Sequence, residues 1–379
     1  MLAQRIAWYK SGASEVPVLE RDMSVNPNSY VQQANQLPAL KMQFPWLKEV
    51  PSQCLQQVLK DLDKAFKGFF KKKTKFPKFK RKGEHDRFRI PQGLEVSGNR
   101  VKLPKLDWVK FRKSQDIQDV IKNATISKSG KHWFISFCRD VEMTKTEHES
   151  KSAVGVDVGI AQFATLSDGK IYKGIEALKG HFRMLKRLQK SLSSKKLGSS
   201  KWKKIKEKLC RLHAHISNIR RDYVHKVTTE ISKNHAMVFV EDLKVASMSR
   251  SAKGNEEEPG KNVKTKSGLN RSILDQGWAE FFRQLAYKLS WRGGELRFVD
   301  PKQTSQRCSC CGHVSAKSRL SQSEYVCVSC KNELNADLNA AINILTAGHA
   351  GLACGGAVVR LPEKQEPEAI VKLRTLKLA

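Results

Sequence analysis

The seven residues Ala153-Val154-Gly155-Val156-Asp157-Val158-Gly159 set one carboxylate inside an otherwise apolar run. A short unbroken apolar run reads as a strand covered on both faces. A carboxylate there is costly unless it has a partner, so Asp157 either turns the strand end or serves a metal. Gly155 and Gly159, lacking Cβ, leave room for a backbone or a phosphate to come close. A second run, Met237-Val238-Phe239-Val240-Glu241, also ends in an acid, and Asp242 follows it, so either carboxylate could point inward. Glu241 is favoured because it directly continues the strand. A third acid, Asp337, opens a helix whose Leu338, Ile342 and Leu345 form an apolar stripe. Taken alone, its place is explained by helix N-terminal capping.

Short strands are expected at Phe163–Leu166 and Ile171–Tyr172, which make a meander with the first. From His181 to about Ser232, Ile205, Leu209, Leu212, Ile216, Ile219, Tyr223 and Val227 repeat at helical steps, implying a helical hairpin broken near Gly198. The polar stretch Ser249–Gly268 reads as a mobile loop. Trp278, Phe281, Phe282, Leu285 and Leu289 mark an amphipathic helix stopped at Gly293-Gly294, and Leu296–Val299 is one more strand. The order is a strand acid opening a meander, a second strand acid after helices, and a third acid on a terminal helix. That is the layout of an α/β RNase H-type nuclease core, in which carboxylates converge on divalent ions roughly 4 Å apart that hold a scissile phosphate and activate a water.

Five of the nine cysteines fall between 308 and 330. Cys308-Ser309-Cys310-Cys311-Gly312 and Cys327-Val328-Ser329-Cys330 have the spacing of a tetrahedral zinc ribbon, and clustering favours a metal over disulfides. Cys310 could replace Cys311; Cys308 and Cys311 are preferred, because a two-residue gap lets both thiolates of one tight turn reach the ion. With Cys327 and Cys330 they leave no open position for water, so the zinc is structural.

The formal charge of +33 favours a polyanionic partner, nucleic acid first. No stretch is long and apolar enough to span a bilayer, and the N-terminus lacks secretory-signal order, so a soluble, cytoplasmic protein without a membrane partner is expected. From Met1 to about Gly68 the pattern is helical, with Leu55, Val58, Leu62, Phe66 and Phe69 at three- and four-residue steps. A basic run, Lys71 to Lys82, follows, in which Lys75, Phe76, Phe79 and Arg81 combine charge with flat stacking surfaces. Basic helical faces bearing Lys186, Arg187, Lys190, Lys203, Lys204, Arg211, Arg220 and Arg221 could follow a nucleic-acid backbone. Between about Asp86 and Val141, alternating runs at Val101–Leu103, Val109–Phe111, Ala124–Ile126 and Trp133–Phe137 indicate a β-rich module, and Thr144–Lys151 is the best boundary.

Four stretches carry a specific resemblance: Gly155-Val156-Asp157-Val158-Gly159-Ile160, Val240-Glu241-Asp242-Leu243, Thr304-Ser305-Gln306-Arg307-Cys308-Ser309-Cys310-Cys311-Gly312 and Asp337-Leu338-Asn339-Ala340-Ala341-Ile342-Asn343-Ile344. In this order they resemble the TnpB (OrfB) proteins of insertion sequences, relatives of compact type V CRISPR effectors, over roughly Leu2–Leu352. The resemblance implies a RuvC-like nuclease with Asp157, Glu241 and Asp337 at the magnesium-binding catalytic positions and the four cysteines at the zinc positions. It also implies a zinc-bearing insertion, a wedge β-barrel, a helical recognition lobe, a guide RNA transcribed from the element's end, and cleavage of double-stranded target DNA beside a short element-adjacent motif.

On that basis the chain divides into a helical recognition lobe with its basic segment (1–85), a wedge-like β domain (86–150), a RuvC-like core (151–300), a zinc-ribbon insertion (301–332), the last nuclease helix (333–348) and a flexible tail (349–379). Family members usually begin with a basic strand. This chain is expected to enter partway through the following helix, at Met1-Leu2-Ala3-Gln4-Arg5, without the strand that completes the wedge barrel. A silent RNA-guided regulator, a DNA-joining transposase and a zinc-ribbon binding protein without catalysis are the alternatives.

Overall fold

The computed structural model describes residues 2–3, 5–6, 29–81, 83, 86–117, 120–140, 147–255, 257–353 and 371–373. The chain divides into two compact units, Met1–Glu142 with Pro367–Ala379, and Met143–Glu366. Of the boundary expected at Thr144–Lys151, residues 144–146 lie outside the described residues, as do Met1, Gln4 and Lys82.

In the first unit, helices α1 (Tyr30–Asn35), α2 (Leu37–Gln43) and α3 (Ser52–Phe70) precede six strands, β1 (Arg87–Ile90), β2 (Glu95–Ser97), β3 (Arg100–Leu103), β4 (Asp107–Arg112), β5 (Ile121–Ser129) and β6 (His132–Arg139). Ser29 caps α1 by accepting from the Gln32 amide. Buried Arg5 donates to Gln33 (3.0 Å) and Asp63 (3.2 Å), so its charge is neutralised where burial would otherwise be costly. Alternation along the strands turns Val101, Leu103, Phe111, Ala124, Ile126, Ile135 and Phe137 into one core, which Cys54 of α3 joins.

The sheet order is β1-β5-β6, then Val371–Leu373, then β4-β3-β2. The segment 349–379 therefore differs from a uniformly loose tail. The last helix among the described residues runs to Ala353, and the backbone of Val371–Leu373 pairs with both β4 and β6, satisfying edges that would otherwise be open. The remaining residues of that segment, 354–370 and 374–379, lie outside the described residues.

The second unit is α/β. Its strands β7 (Ala153–Asp157), β8 (Gln162–Leu166), β9 (Ile171–Lys173), β10 (Met237–Glu241) and β11 (Glu295–Val299) form a sheet of order β11-β10-β7-β8-β9. The meander β7-β8-β9 is antiparallel, while β10 runs parallel to β7 and β11 parallel to β10. Helices α4 (Ala177–Ser193) and α5 (Ser200–Asn234) form the hairpin read from the sequence, turned at Gly198 with φ +82°. After α6 (Val245–Met248) come α7 (Val263–Gln276) and α8 (Trp278–Trp291), then the small hairpin β12 (Glu324–Val326) and β13 (Glu333–Asn335), and α9 (Ala336–Ala353).

The expected loop over 249–268 is thus shorter, because α7 begins at Val263. Its first two turns are largely exposed and polar, which hid the helix from hydrophobic patterning. Asn270 ties it back by donating to the Ser249 and Arg250 carbonyls.

Strand alternation decides the two faces of the sheet. Val154, Val156, Val238 and Val240 point into a core shared with Val224, Val227, Phe281, Leu285 and Leu289 of α5 and α8. Phe239 and Val299 point the other way, against Ile344 of α9. Gly155 lies on that second face, where a Cβ would sit 2.1 Å from the Ala341 carbonyl oxygen, so the helix backbone rests directly on the strand. Gly348 makes the reciprocal approach, to the Phe239 ring. By the two-residue strand period, Asp157 shares the face of Gly155, and Glu241 shares the face of Phe239.

Candidate active site

The site is built where β7 and β10 end and α9 begins. Val156 pairs with Val240 across the parallel strands, so Asp157 and Glu241 follow side by side on the face that α9 covers. Asp337 sits in the first turn of α9, half-buried. It is not the cap: the Asn335 side chain accepts from the amides of Asp337 (3.0 Å) and Leu338 (3.2 Å), which frees the Asp337 carboxylate. Glu241 is half-buried whereas Asp242 is exposed, so of the adjacent acids Glu241 is the one turned toward the site.

Burial, and after it the charges of Glu241 and Asp337, push the Asp157 carboxyl up to about 7, against the opposing pull of Arg319 and the Val158 amide. Burial likewise raises Glu241, opposed by a hydrogen bond from Thr304, and raises Asp337, opposed by Arg319. Asp157 thus carries its charge at a cost set by burial and by both other acids, and carboxylates of this kind suit a hard divalent cation, which prefers oxygen ligands.

Residues that sequence reasoning did not single out complete the site. Arg319, from the segment between the cysteine pairs, lies 3.8 Å from the Asp337 carboxylate. The buried Thr304 donates its hydroxyl to Glu241. Asn339 donates to the Arg307 carbonyl (2.8 Å) and accepts from the Ser309 amide (2.9 Å). Asn343 donates to the carbonyls of Thr304 (2.9 Å) and Arg307 (2.7 Å). The one available signal was the spacing of Asn339 and Asn343, two and six residues after Asp337, on a helix that otherwise reads as apolar.

The ligand atoms of Cys308, Cys311, Cys327 and Cys330 all lie within 4.8 Å of one another, with Sγ to Sγ separations of 3.7 Å (Cys308 to Cys330) and 3.6 Å (Cys311 to Cys327). Cys310 stands outside the group, exposed. Each pair closes a tight turn: the Gly312 amide donates to Cys308 O with φ +75° at Gly312, and the Lys331 amide donates to Cys327 O with φ +63° at Lys331. Four thiols converging in this way fit structural zinc.

The residues expected to touch nucleic acid are placed differently from one another. Lys75, Phe79 and Arg81 are exposed, and Phe79 is 66% accessible. Phe76 is not a free stacking surface, because it packs edge-on against Phe66 and Phe69 at 5.8 and 5.1 Å. Arg221 is exposed, but Arg220 is ion-paired with Asp275, whose other oxygen caps the Leu178 amide. Phe76 and Arg220 thus spend on internal packing what the sequence suggested for a ligand.

Comparison with known proteins now places the chain. The model of the OrfB family of IS605 elements, described as "Probable transposase", matches residues 136–252, and that of the Cas12f1-like TNB domain matches 278–344. An Escherichia coli K12 protein named "Putative RNA-guided DNA endonuclease InsQ" is 52% identical over 330 residues, 86% of this chain and 82% of that protein. The chain belongs to the TnpB (OrfB) family. A second TnpB-type relative, from Streptomyces pristinaespiralis and named "Putative RNA-guided DNA endonuclease", is 31% identical over 90% of this chain and 85% of its own length. Among solved structures, a Cas12f1–sgRNA–target DNA complex aligns with 77% of this TnpB-family chain and 70% of its own, at 18% identity and a TM-score of 0.47. The first family model spans Asp157 and Glu241; the second spans the four cysteines and Asp337.

Proposed function

We propose that this TnpB-family protein is an RNA-guided DNA endonuclease that cuts target DNA by magnesium-dependent phosphodiester hydrolysis. The observation that carries the reading is the placing of Asp157 and Glu241 at neighbouring strand ends, on the face α9 covers, with Asp337, 180 residues after Asp157, in the first turn of that helix and its charge felt at Asp157. The strand order β11-β10-β7-β8-β9, with an antiparallel meander followed by parallel strands, supports an RNase H-like, RuvC-type core. The identity to the E. coli protein supports guide RNA and DNA as partners.

In this reading the three carboxylates hold the cations, and bound magnesium supplies charge neutralisation at the scissile phosphate and a more acidic water. Asp157 and Asp337 serve as the most direct ligands, and Glu241 completes the set. Arg319 offsets the negative charge of the acids before metal and phosphate arrive. The zinc ribbon is a structural insertion whose fold carries Arg319 to the site. Lys75, Phe79, Arg81 and Arg221 are offered to nucleic acid, within a field set by the +33 charge. The first unit supplies the wedge β-barrel and recognition lobe that read the guide and the element-adjacent motif.

The test is to sequence the RNA that copurifies with the chain and to challenge the complex with a plasmid matching that RNA. Cutting in magnesium that stops in a chelator is the expected result. A defined transcript together with no cutting beside any adjacent motif would overturn the reading.

A further inference from the structure

Thr304 holds no catalytic position in the reading above, yet its place in the structure is unusual for a hydroxyl. It is buried at 5% exposure and hydrogen-bonded to one of the acids, Glu241, 63 residues away. Its backbone is fixed independently: the Thr304 carbonyl accepts from Asn343, and the Arg307 carbonyl three residues on accepts from both Asn339 and Asn343. Asn339 also accepts from Ser309, next to the zinc-site Cys308. The segment 304–309 is therefore clamped to α9, the helix that carries Asp337, at one side. At the other it reaches Glu241 through a single hydroxyl.

A carboxylate at a strand end can rotate about its last torsion, and rotation costs affinity for a cation that needs its oxygens in place. The Thr304 hydroxyl removes that freedom by engaging Oε1, and no donor among the described residues is bonded to Oε2. The hydroxyl has one proton and two acceptors in reach, Glu241 and the Pro301 carbonyl at 3.1 Å, so it can donate to only one at a time. The closer of the two is the carboxylate, and charge makes it the stronger acceptor.

We propose that Thr304 is a positioning residue for divalent-cation binding: its hydroxyl orients Glu241, and the Asn339/Asn343 clamp keeps that hydroxyl in register with Asp337. The inference rests on the acids being a metal site, as proposed above, and extends it to a residue outside them. It predicts that the isosteric change Thr304→Val, which keeps the shape and deletes the hydroxyl, weakens the site. Thr304→Ser, which keeps the hydroxyl, leaves it nearly intact. Loss of an oriented outer contact of this kind typically costs 10- to 100-fold in metal affinity.

The experiment is a titration of manganese(II), followed by the electron-spin resonance of the free ion. It compares the full-length chain with its copurified RNA in four forms: native, Thr304→Val, Thr304→Ser and Asp157→Ala, with zinc content and thermal midpoint measured on each. Manganese binding that weakens about 10-fold or more in Thr304→Val, survives in Thr304→Ser, and leaves zinc content unchanged supports the proposal. Native-like binding in Thr304→Val overturns it. So does equal weakening in the valine and serine variants. Binding that is unaltered by Asp157→Ala would instead overturn the metal-site reading on which it rests. If Thr304→Val loses zinc or fails to fold, Asn343→Asp, which removes a clamp donor and keeps the side-chain volume, is titrated in its place. Binding unchanged in that variant also overturns the proposal.

Discussion

Val156 and Val240 pair across neighbouring parallel strands, and the residue after each is an acid. This register, with Gly155 and Phe239 two positions earlier, turns Asp157 and Glu241 onto the face over which α9 lies. Hydrophobic burial of the valines on one side and close helix packing on the other thus fix where the carboxylates emerge.

The first consequence concerns stability without metal. The folded Asp157 carboxyl is raised from 3.8 to about 7, so only well below pH 3.8 is it protonated in both folded and unfolded chains, with no stability lost. As pH rises toward 7 the unfolded chain gives up its proton first, and metal-free stability falls by about 4 kcal/mol at most. Thermal unfolding in a chelator from pH 4 to pH 8 should show this decline. Asp157→Asn should flatten it, and magnesium should restore stability at pH 8 but not at pH 4.

Arg319 lowers the pKa of both Asp157 and Asp337. Without its charge the carboxyls keep their protons to higher pH, so Arg319→Ala should move the acidic limb of the cleavage profile upward and slow cutting at neutral pH. Single-turnover cleavage across pH 6 to 9 measures the shift. Zinc content should stay at the native value, because the guanidinium is not among the converging thiols.

Gly155→Ala would place a methyl 2.1 Å from the Ala341 carbonyl oxygen and 2.6 Å from the Leu345 amide nitrogen. Both are backbone atoms of α9 and cannot rotate away, so the helix must shift. The expected cost is at the upper end of the roughly 1 to 3 kcal/mol typical of overpacking, or beyond it. Cleavage should fall as well, since Asp337 rides on the displaced helix. Denaturant unfolding and cleavage rates check the two effects separately.

Cys310 and Cys311 are neighbours with opposite expected behaviour. Cys311→Ser should lose the zinc and Cys310→Ser should retain one equivalent per chain, as read by a colorimetric chelator after denaturation. The reason is that the Cys311 sulfur lies 3.6 Å from that of Cys327, while Cys310 is exposed outside the group.

Much of this was legible in the sequence. The strands bearing Asp157 and Glu241 announced themselves because a carboxylate within an apolar run has few inexpensive explanations, and the cysteine spacing admits few geometries. What stayed hidden depended on contacts between distant residues. Whether Asp337 caps its own helix or is free turns on Asn335 taking the amides, a matter of side-chain rotamer. Phe76 and Arg220 look identical in sequence to ligand-facing residues, yet one joins an aromatic cluster and the other an ion pair. Thr304 and Arg319 sit in polar stretches with no periodicity, so only folding brings them to the acids. The opening of α7 was missed because an exposed helical turn has no apolar stripe to reveal it.

The most direct test of the account is cleavage of guide-matched DNA in magnesium by Asp157→Ala, Glu241→Ala and Asp337→Ala, with RNA and target binding measured on the same preparations. The three acids acting as one cation site predict that each change abolishes detectable cutting while binding stays close to native. Undiminished cutting by both Asp157→Ala and Glu241→Ala would contradict it.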